Sequence, residues 1–246
     1  MTSSVSSVNV TERGSRREAR LLDAAIRLFA RFGFDKTSVD EIAREAGVSK
    51  GAVYLHWPSK DALFEATLIR EGLRIQDDIQ ARIQNDPAGG TLRAIYRHSI
   101  LAVQGSPLLV AVLTFDARVL GDYMRRQDPS VNARRFVYAE EFVRQMQAAG
   151  LMRAELEPEV TAYVMGVLSF GLVGIRQLAP DIPGPSLEQL ADALADLVDR
   201  GLATHANQDS DAGKQAYRTL VEETTSLYVD PSGAPSGSHH GPRSPA

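Results

Sequence analysis

The sequence predicts an all-α protein with a small three-helix head at its N-terminus and a larger helical body behind it. Two observations carry that prediction. Apolar residues recur at helical spacing along most of the chain, and each such run is bounded by a capping residue or by Gly and Pro. In addition, residues 37–63 hold two short helical runs, a glycine turn between them and the start of a third helix.

The first 14 residues are rich in Ser and Val without a period and read as a flexible arm, with Arg13, Arg16 and Arg17 at its junction to the first helix. A solvated tail is the preferred reading of those arginines over a basic arm that enters a minor groove. From Arg16 to Phe32, the residues Leu21, Leu22, Ala25, Leu28, Phe29 and Phe32 form an amphipathic stripe, and Gly33 stops it. Thr37 or Ser38 can cap the next helix, each with an acid three residues on, Asp40 or Glu41, to complete a capping box. Val39, Ile42, Ala43 and Ala46 share one face, and Gly47 sits where the chain must turn through a left-handed conformation. Ser49 then caps a helix expected to run to Trp57, where Pro58 forbids continuation. Val53 faces the preceding helix, which leaves Lys50, Ala52 and Leu55 pointing outward, and Gly51 allows close backbone approach. This order of cap, turn and donor-rich face is that of a DNA-reading helix-turn-helix. In that reading Lys50, Ala52 and Leu55 meet base edges, while Thr37, Tyr54, His56 and Lys60 fix the register on phosphates, with Ser38, Ser49 and Gly51 completing the contact set.

From Leu21 to Phe64 the chain resembles the TetR-type (TetR/AcrR-like) one-component transcriptional regulators. The resemblance is carried by Thr37 and Ser38, Ile42 and Ala43, the run Ala46, Gly47, Val48 and Ser49, then Gly51, Tyr54, His56, Lys60 and the run Asp61, Ala62 and Leu63. Trp57 stands where the family usually carries phenylalanine, a change of one aromatic anchor for another. The resemblance implies an all-helical homodimer with an N-terminal DNA-binding domain and a C-terminal ligand-binding and dimerisation domain. It also implies a repressor released by a small molecule. The expected organisation is an arm over 1–14, a DNA-binding domain over 15–60, a ligand-binding and dimerisation body over 61–206, a possible extra helix over 207–229 and a disordered, Gly-, Ser- and Pro-rich tail over 230–246.

In the body, Ser59 begins a long helix expected to reach Gln84, with Leu63, Phe64, Thr67, Leu68 and Ile75 joining head to body. Asp86, Pro87, Gly89 and Gly90 break it. Helices follow at 91–104, 107–126 and 130–149. By the family's layout these enclose an effector pocket, for which Tyr96, Phe115, Arg118, Met124, Tyr138, Phe142 and Met146 are the candidate lining residues. Their apolar texture with an occasional arginine suits a hydrophobic or amphipathic effector. The charge-free run Val160–Ile175 is shorter than the ~20 residues a bilayer span needs and reads as a buried helix, with Gly166, Gly171 and Gly174 available for close helix approach. Ser186–Ala203 follows as an amphipathic helix bearing Leu187, Leu190, Leu194, Leu197 and Val198. Two such helices from each subunit would make a four-helix interface.

Composition supports a globular regulator. The 43% hydrophobic content can fill a core, and the absence of cysteine removes disulfides, thiol nucleophiles and cysteine-based metal sites, which suits a reducing cytoplasm. The chain shows no apolar signal-peptide core near its start and no membrane partner is expected. Residues 1–60 carry a net +3 and the remainder −7, a basic head on an acidic body. No phosphate loop, nucleophile elbow or zinc-protease helix is present in the sequence, so neither catalysis nor a cofactor is expected, and His239 next to His240 lacks a third ligand for a metal. The expected partners are an operator duplex, a second copy of the chain and a small-molecule effector. The alternative is a DNA-binding regulator governed by a protein partner or by no ligand at all.

Overall fold

A computed structural model describes the backbone over residues 4–126, 129–178, 184–204 and 209–229. Among the described residues every regular element is helical, apart from a single bridge between Met152 and Ala203. The head consists of α1 (Ser4–Phe32), α2 (Val39–Glu45) and α3 (Lys50–Tyr54). The long α4 (Lys60–Asn85) leaves the head and enters the body, where α5 (Leu92–Gln104), α6 (Pro107–Leu113), α7 (Ala117–Leu120), α8 (Tyr123–Arg126), α9 (Pro129–Ala148), α10 (Pro158–Leu178), α11 (Leu187–Leu202) and α12 (Ser210–Val229) follow.

Two hydrophobic cores organise these elements. The head core joins Leu21, Ala25 and Phe29 of α1 to Ile42 of α2, Val53 of α3, Trp57, and Leu63 and Phe64 of α4. Each such side chain withdrawn from water contributes about 1.5–3 kcal/mol, which is what holds helices as short as α2 and α3 in place. The body core takes Ile75, Ile79 and Ile83 from the far half of α4 and packs them with α5, α9, α10, α11 and α12. One helix thus contributes to both cores. Ion pairs from Arg93 to Asp196 and from Arg97 to Asp192 fasten α5 to α11.

Several sequence expectations change. The chain is helical from Ser4 rather than from Arg16, so residues 4–14 continue α1 instead of forming an arm. No Pro interrupts that stretch and Gly14 alone does not end it, so low-propensity Ser and Val simply extend the register. Phe32, counted in the apolar stripe, is 45% exposed. The expected helix over 107–126 is three pieces, because Phe115 takes φ +52°, Asp116 then caps α7, and Gly121 takes φ +49°. The head core also reaches beyond residue 60, drawing in Leu63 and Phe64 together with Leu108, Val112, Leu120 and Tyr123.

The charge-free run lies on α10 and is buried on one side only, through Ala162, Met165 and Leu172. Val160, Tyr163, Val164, Val167 and Ile175 are 48–68% exposed, because the helix packs on α9 with one side and turns the other outward. A Cβ built on Gly171 or Gly174 would meet no atom within 4 Å, so these glycines bring no helix of the same chain close. No helix among the described residues is long and apolar enough to cross a membrane. His239 and His240 lie outside the described residues.

Candidate nucleic-acid interface

The supporting helix α2 is fixed at both ends by local chemistry. Ser38 is its cap: the hydroxyl accepts from the Glu41 amide at 3.2 Å, and the Glu41 carboxylate accepts from the Ser38 amide at 2.8 Å. The Ser38 amide first, and then the Ser38 hydroxyl donating to the same carboxylate at 2.8 Å, hold the Glu41 carboxyl below the usual carboxylate range. At the other end Gly47 adopts φ +68°, and the Val48 amide donates back to the Ala43 carbonyl at 2.9 Å. This left-handed step turns the chain so that α3 can cross α2.

Helix α3 is held by one cap and one anchor. The Ser49 hydroxyl accepts from the Ala52 amide at 3.3 Å, and Val53 is buried against the head core. The helix ends at Tyr54 rather than Trp57, with the amides of His56 and Trp57 both donating to the Val53 carbonyl. Pro58 disfavours helical geometry at Trp57, so the last turn tightens and Trp57 swings into the core at 8% exposure. What remains outside is a compact face. Lys50 and Gly51 begin it, Ala52 is half-buried, Tyr54 and His56 are exposed, and Leu55 stands 86% exposed.

Two of the ten expected DNA contacts are not on that face. Thr37 is 2% exposed, and its hydroxyl donates to the Gly33 carbonyl at 2.8 Å and to that of Leu28 at 3.3 Å. It locks the α1–α2 turn and leaves Ser38 to act as the cap. Lys60 is half-buried: its ammonium lies 4.3 Å from the centre of the Phe34 ring and donates to the Asp35 carbonyl at 3.4 Å. Burial pushes its pKa down. Sequence spacing places Lys60 correctly on α4 but gives no sign of the aromatic ring that captures it. Asp40 was missed as a member of the site, although its carboxylate lies 2.8 Å from the Lys50 ammonium. The signal was available in the acidic first turn of α2.

The expected effector residues divide. Tyr96 and Met146 are buried in the body core with Phe142 packed against it, and the Tyr96 hydroxyl lies 3.0 Å from that of Ser169. Phe115 is 51% exposed and stacks on Phe170 with ring centres 6.5 Å apart. The Arg118 side chain is 80% exposed and held by Asp116 at 2.8 Å. The break at Phe115 turns both away from the body core, so they do not share a lining with Tyr96. Met124 and Tyr138 lie outside the residues whose side chains are described.

Comparison with known proteins agrees with this geometry. Residues 21–67 match the family model described as bacterial regulatory proteins, tetR family. The chain is 29% identical over 168 residues to the HTH-type transcriptional regulator AcrR of Shigella flexneri, which covers 65% of this chain and 78% of that protein. It is 46% identical over 55 residues to an HTH-type transcriptional repressor of Mycobacterium tuberculosis, covering 22% of this chain and 29% of the other. A TetR-family transcriptional regulator from a Rhodococcus species superposes with a TM-score of 0.56 at 27% identity, over 76% of this chain and 98% of that one. Two Bacillus subtilis regulators match more strongly but only over the head, so the chain spans 16% and 18% of their lengths. Residues 21–67 carry a DNA-binding domain of the tetR type, and head and body together are similar to TetR-type transcriptional regulators.

Proposed function

We propose that this protein is a DNA-binding transcriptional repressor that acts as a homodimer on a near-palindromic operator and is released by a small hydrophobic or amphipathic effector. The observation that carries the reading is the outward face of α3, where Lys50, Tyr54, Leu55 and His56 stand exposed on a helix whose other side is anchored by Val53. Lysine donates to guanine O6 and N7, Leu55 offers apolar contact to a thymine methyl, and Tyr54 and His56 reach the sugar-phosphate backbone.

Dimerisation is supported by the apolar stripe of α10. Val160, Val164, Val167 and Ile175 recur at helical spacing, and Leu197 of α11 adds a further exposed apolar side chain. A continuous apolar face of this kind is covered in solution by a partner, and a second copy on a two-fold axis covers it with itself. Such a dimer holds its recognition helices one DNA turn apart, about 34–36 Å. An effector releases the operator only by binding a differently spaced form more tightly; a coupling of about 1–3 kcal/mol changes operator affinity about 5- to 150-fold. The effector is proposed to enter the body core, in which Tyr96 and Met146 are buried and against which Phe142 packs.

The testing experiment is titration of the purified chain against labelled duplex from the region flanking its own gene, at two salt concentrations with excess random DNA. Saturable binding that survives the competitor, at two subunits or more per site, is the expected result. Displacement by random DNA in proportion to its mass would remove sequence specificity from the proposal.

A further inference from the structure

The head is held by the body at a further place besides the passage of α4 from one to the other, where residues 117–126 meet the α1–α2 turn and the start of α4. Gly33, at the end of α1, has φ +82°, and a Cβ there would lie 2.3 Å from the Arg118 carbonyl oxygen. Gly121, between α7 and α8, has φ +49°, and a Cβ there would lie 2.2 Å from a carboxylate oxygen of Asp35. Two segments separated by more than eighty positions thus touch closely, backbone to backbone at Gly33 and backbone to the Asp35 side chain at Gly121, each through a glycine whose positive φ an L residue adopts only with strain. The contact is hydrogen-bonded in both directions. The Phe34 amide donates to the Val119 carbonyl at 2.7 Å, and the Asp122 amide donates to both Asp35 carboxylate oxygens at 3.2 Å. Arg126 donates to the Asp61 carboxylate at 2.8 Å across the same joint.

The joint is also packed. Leu120 is fully buried in the head core, and the Tyr123 ring meets Phe64 at 4.6 Å and Phe34 at 5.5 Å between ring centres. The opposite end of the segment starts at Phe115, whose left-handed backbone and stacking on Phe170 tie it to α10. Left-handed conformations at bulky residues persist only where the surroundings impose them. Residues 115–126 therefore run as a hydrogen-bonded, packed brace from α10 to the α1–α2 turn, which itself sets the start of α2 and hence the placement of α3.

We propose that residues 117–126 are a second strut that fixes the orientation of the reading helix, and that Asp35, Gly121 and Arg126 are positioning residues for DNA binding. This rests on the DNA-binding role proposed above for the head. Helices α4 and α6 already pack into the head core; the strut adds a hydrogen-bonded hold on the α1–α2 turn, and any shift of α10 is delivered to that turn as well as through α4.

The test uses the full chain and two variants, Gly121→Ala, which strains the backbone and displaces Asp35, and Arg126→Ala, which removes an exposed pair and the guanidinium over the Phe34 ring but leaves the backbone unstrained. Amide hydrogen exchange is followed in peptides covering 33–36, 48–57 and 75–84, and affinity is measured for a duplex selected by the unaltered chain from a random library. Gly121→Ala is expected to speed exchange at 33–36 about tenfold or more and to spread the effect to 48–57, with 75–84 unchanged and duplex affinity several-fold weaker. Arg126→Ala is expected to do the same by about two- to threefold, which keeps the test open if the glycine variant unfolds. Unchanged protection at 33–36 overturns the strut, and a loosened turn with unchanged or tighter duplex binding overturns its positioning role. Should the unaltered chain select no duplex, the DNA reading fails by itself; the strut then stands if exchange spreads from 33–36 into 48–57 and falls if it stays local.

Discussion

The Lys50 ammonium at the start of the reading helix is paired with the Asp40 carboxylate in the first turn of the supporting helix, at 2.8 Å with both side chains more than half exposed. The hydrogen bond and the charge of Asp40 raise the lysine pKa, so Lys50 is a cation throughout the neutral range. Exposed pairs of this kind are screened by water and contribute little, too little to prevent exchange of the carboxylate for a base edge. The pair instead holds the lysine in one orientation on the outward face. Lys50→Ala is expected to cost operator binding about 1–3 kcal/mol and to relax preference at one base-pair position. Equal losses on operator and on random duplex would remove the base-reading role. Asp40→Asn removes a negative charge beside the duplex, and a several-fold gain on both duplexes at low salt, fading at high salt, is the expected companion result.

Lys60 separates the structural reading from the one based on spacing alone. A phosphate contact adds about 0.9 to the slope of log affinity against log salt. Because the Lys60 ammonium is spent on the Phe34 ring and the Asp35 carbonyl, Lys60→Met is expected to leave that slope unchanged. Its cost falls on the fold, about 0.5–1 kcal/mol from the lost cation–π contact. A slope reduced by about one unit would return Lys60 to the phosphate face. Salt titrations of the unaltered chain and the variant on one duplex decide it.

The head was legible in the sequence because its determinants are local. The Ser38 and Glu41 box, the left-handed Gly47, the Ser49 cap and the buried Val53 each lie within a few residues of their partners, and spacing rules of that range identify them. What escaped were contacts between distant positions. Nothing near Lys60 announces that Phe34 lies beneath it, and nothing near Thr37 announces that its hydroxyl turns inward to Gly33. The α10 helix was misjudged for a related reason: a charge-free run reports a need for cover, and periodicity cannot say whether that cover comes from the same chain or another. Among the effector candidates, Phe115 and Arg118 were lost to one backbone torsion, the positive φ at Phe115, which no helical pattern displays.

Glu71 gives a pH-dependent prediction. It is buried on α4, its carboxylate accepts from Arg74 at 2.7 and 3.0 Å, and Ser106, the cap of α6, also bonds to it. The Arg74 hydrogen bonds, opposed by burial and helped by Ser106, hold its pKa below the ordinary 4.5. A carboxyl depressed in the folded state stabilises the fold above its unfolded pKa, and that contribution is lost as pH falls through the folded value. Thermal unfolding of Glu71→Gln is therefore expected to show its largest deficit at neutral pH and to converge on the unaltered chain in the acid range, below about pH 4. A deficit independent of pH would show that shape, rather than charge, is what Glu71 supplies.

The apolar stripe of α10 gives the sharpest test of assembly. Val167 is 56% exposed and lies about one helical turn from Val164 and two from Val160, at the middle of the face. In a monomer, replacing an exposed valine by aspartate shifts stability by no more than about 0.5 kcal/mol, since the new charge stays in water. In a two-fold dimer the same change places two aspartates near the axis, and burying charges without partners costs several kcal/mol. Val167→Asp is thus expected to sediment as a monomer at micromolar concentration with its helical content intact. It is also expected to bind the operator at least about 100-fold more weakly, because each head then engages its half-site alone. Unchanged sedimentation would place the subunit contact elsewhere, whereas a monomer with full operator affinity would show that the two heads do not act together.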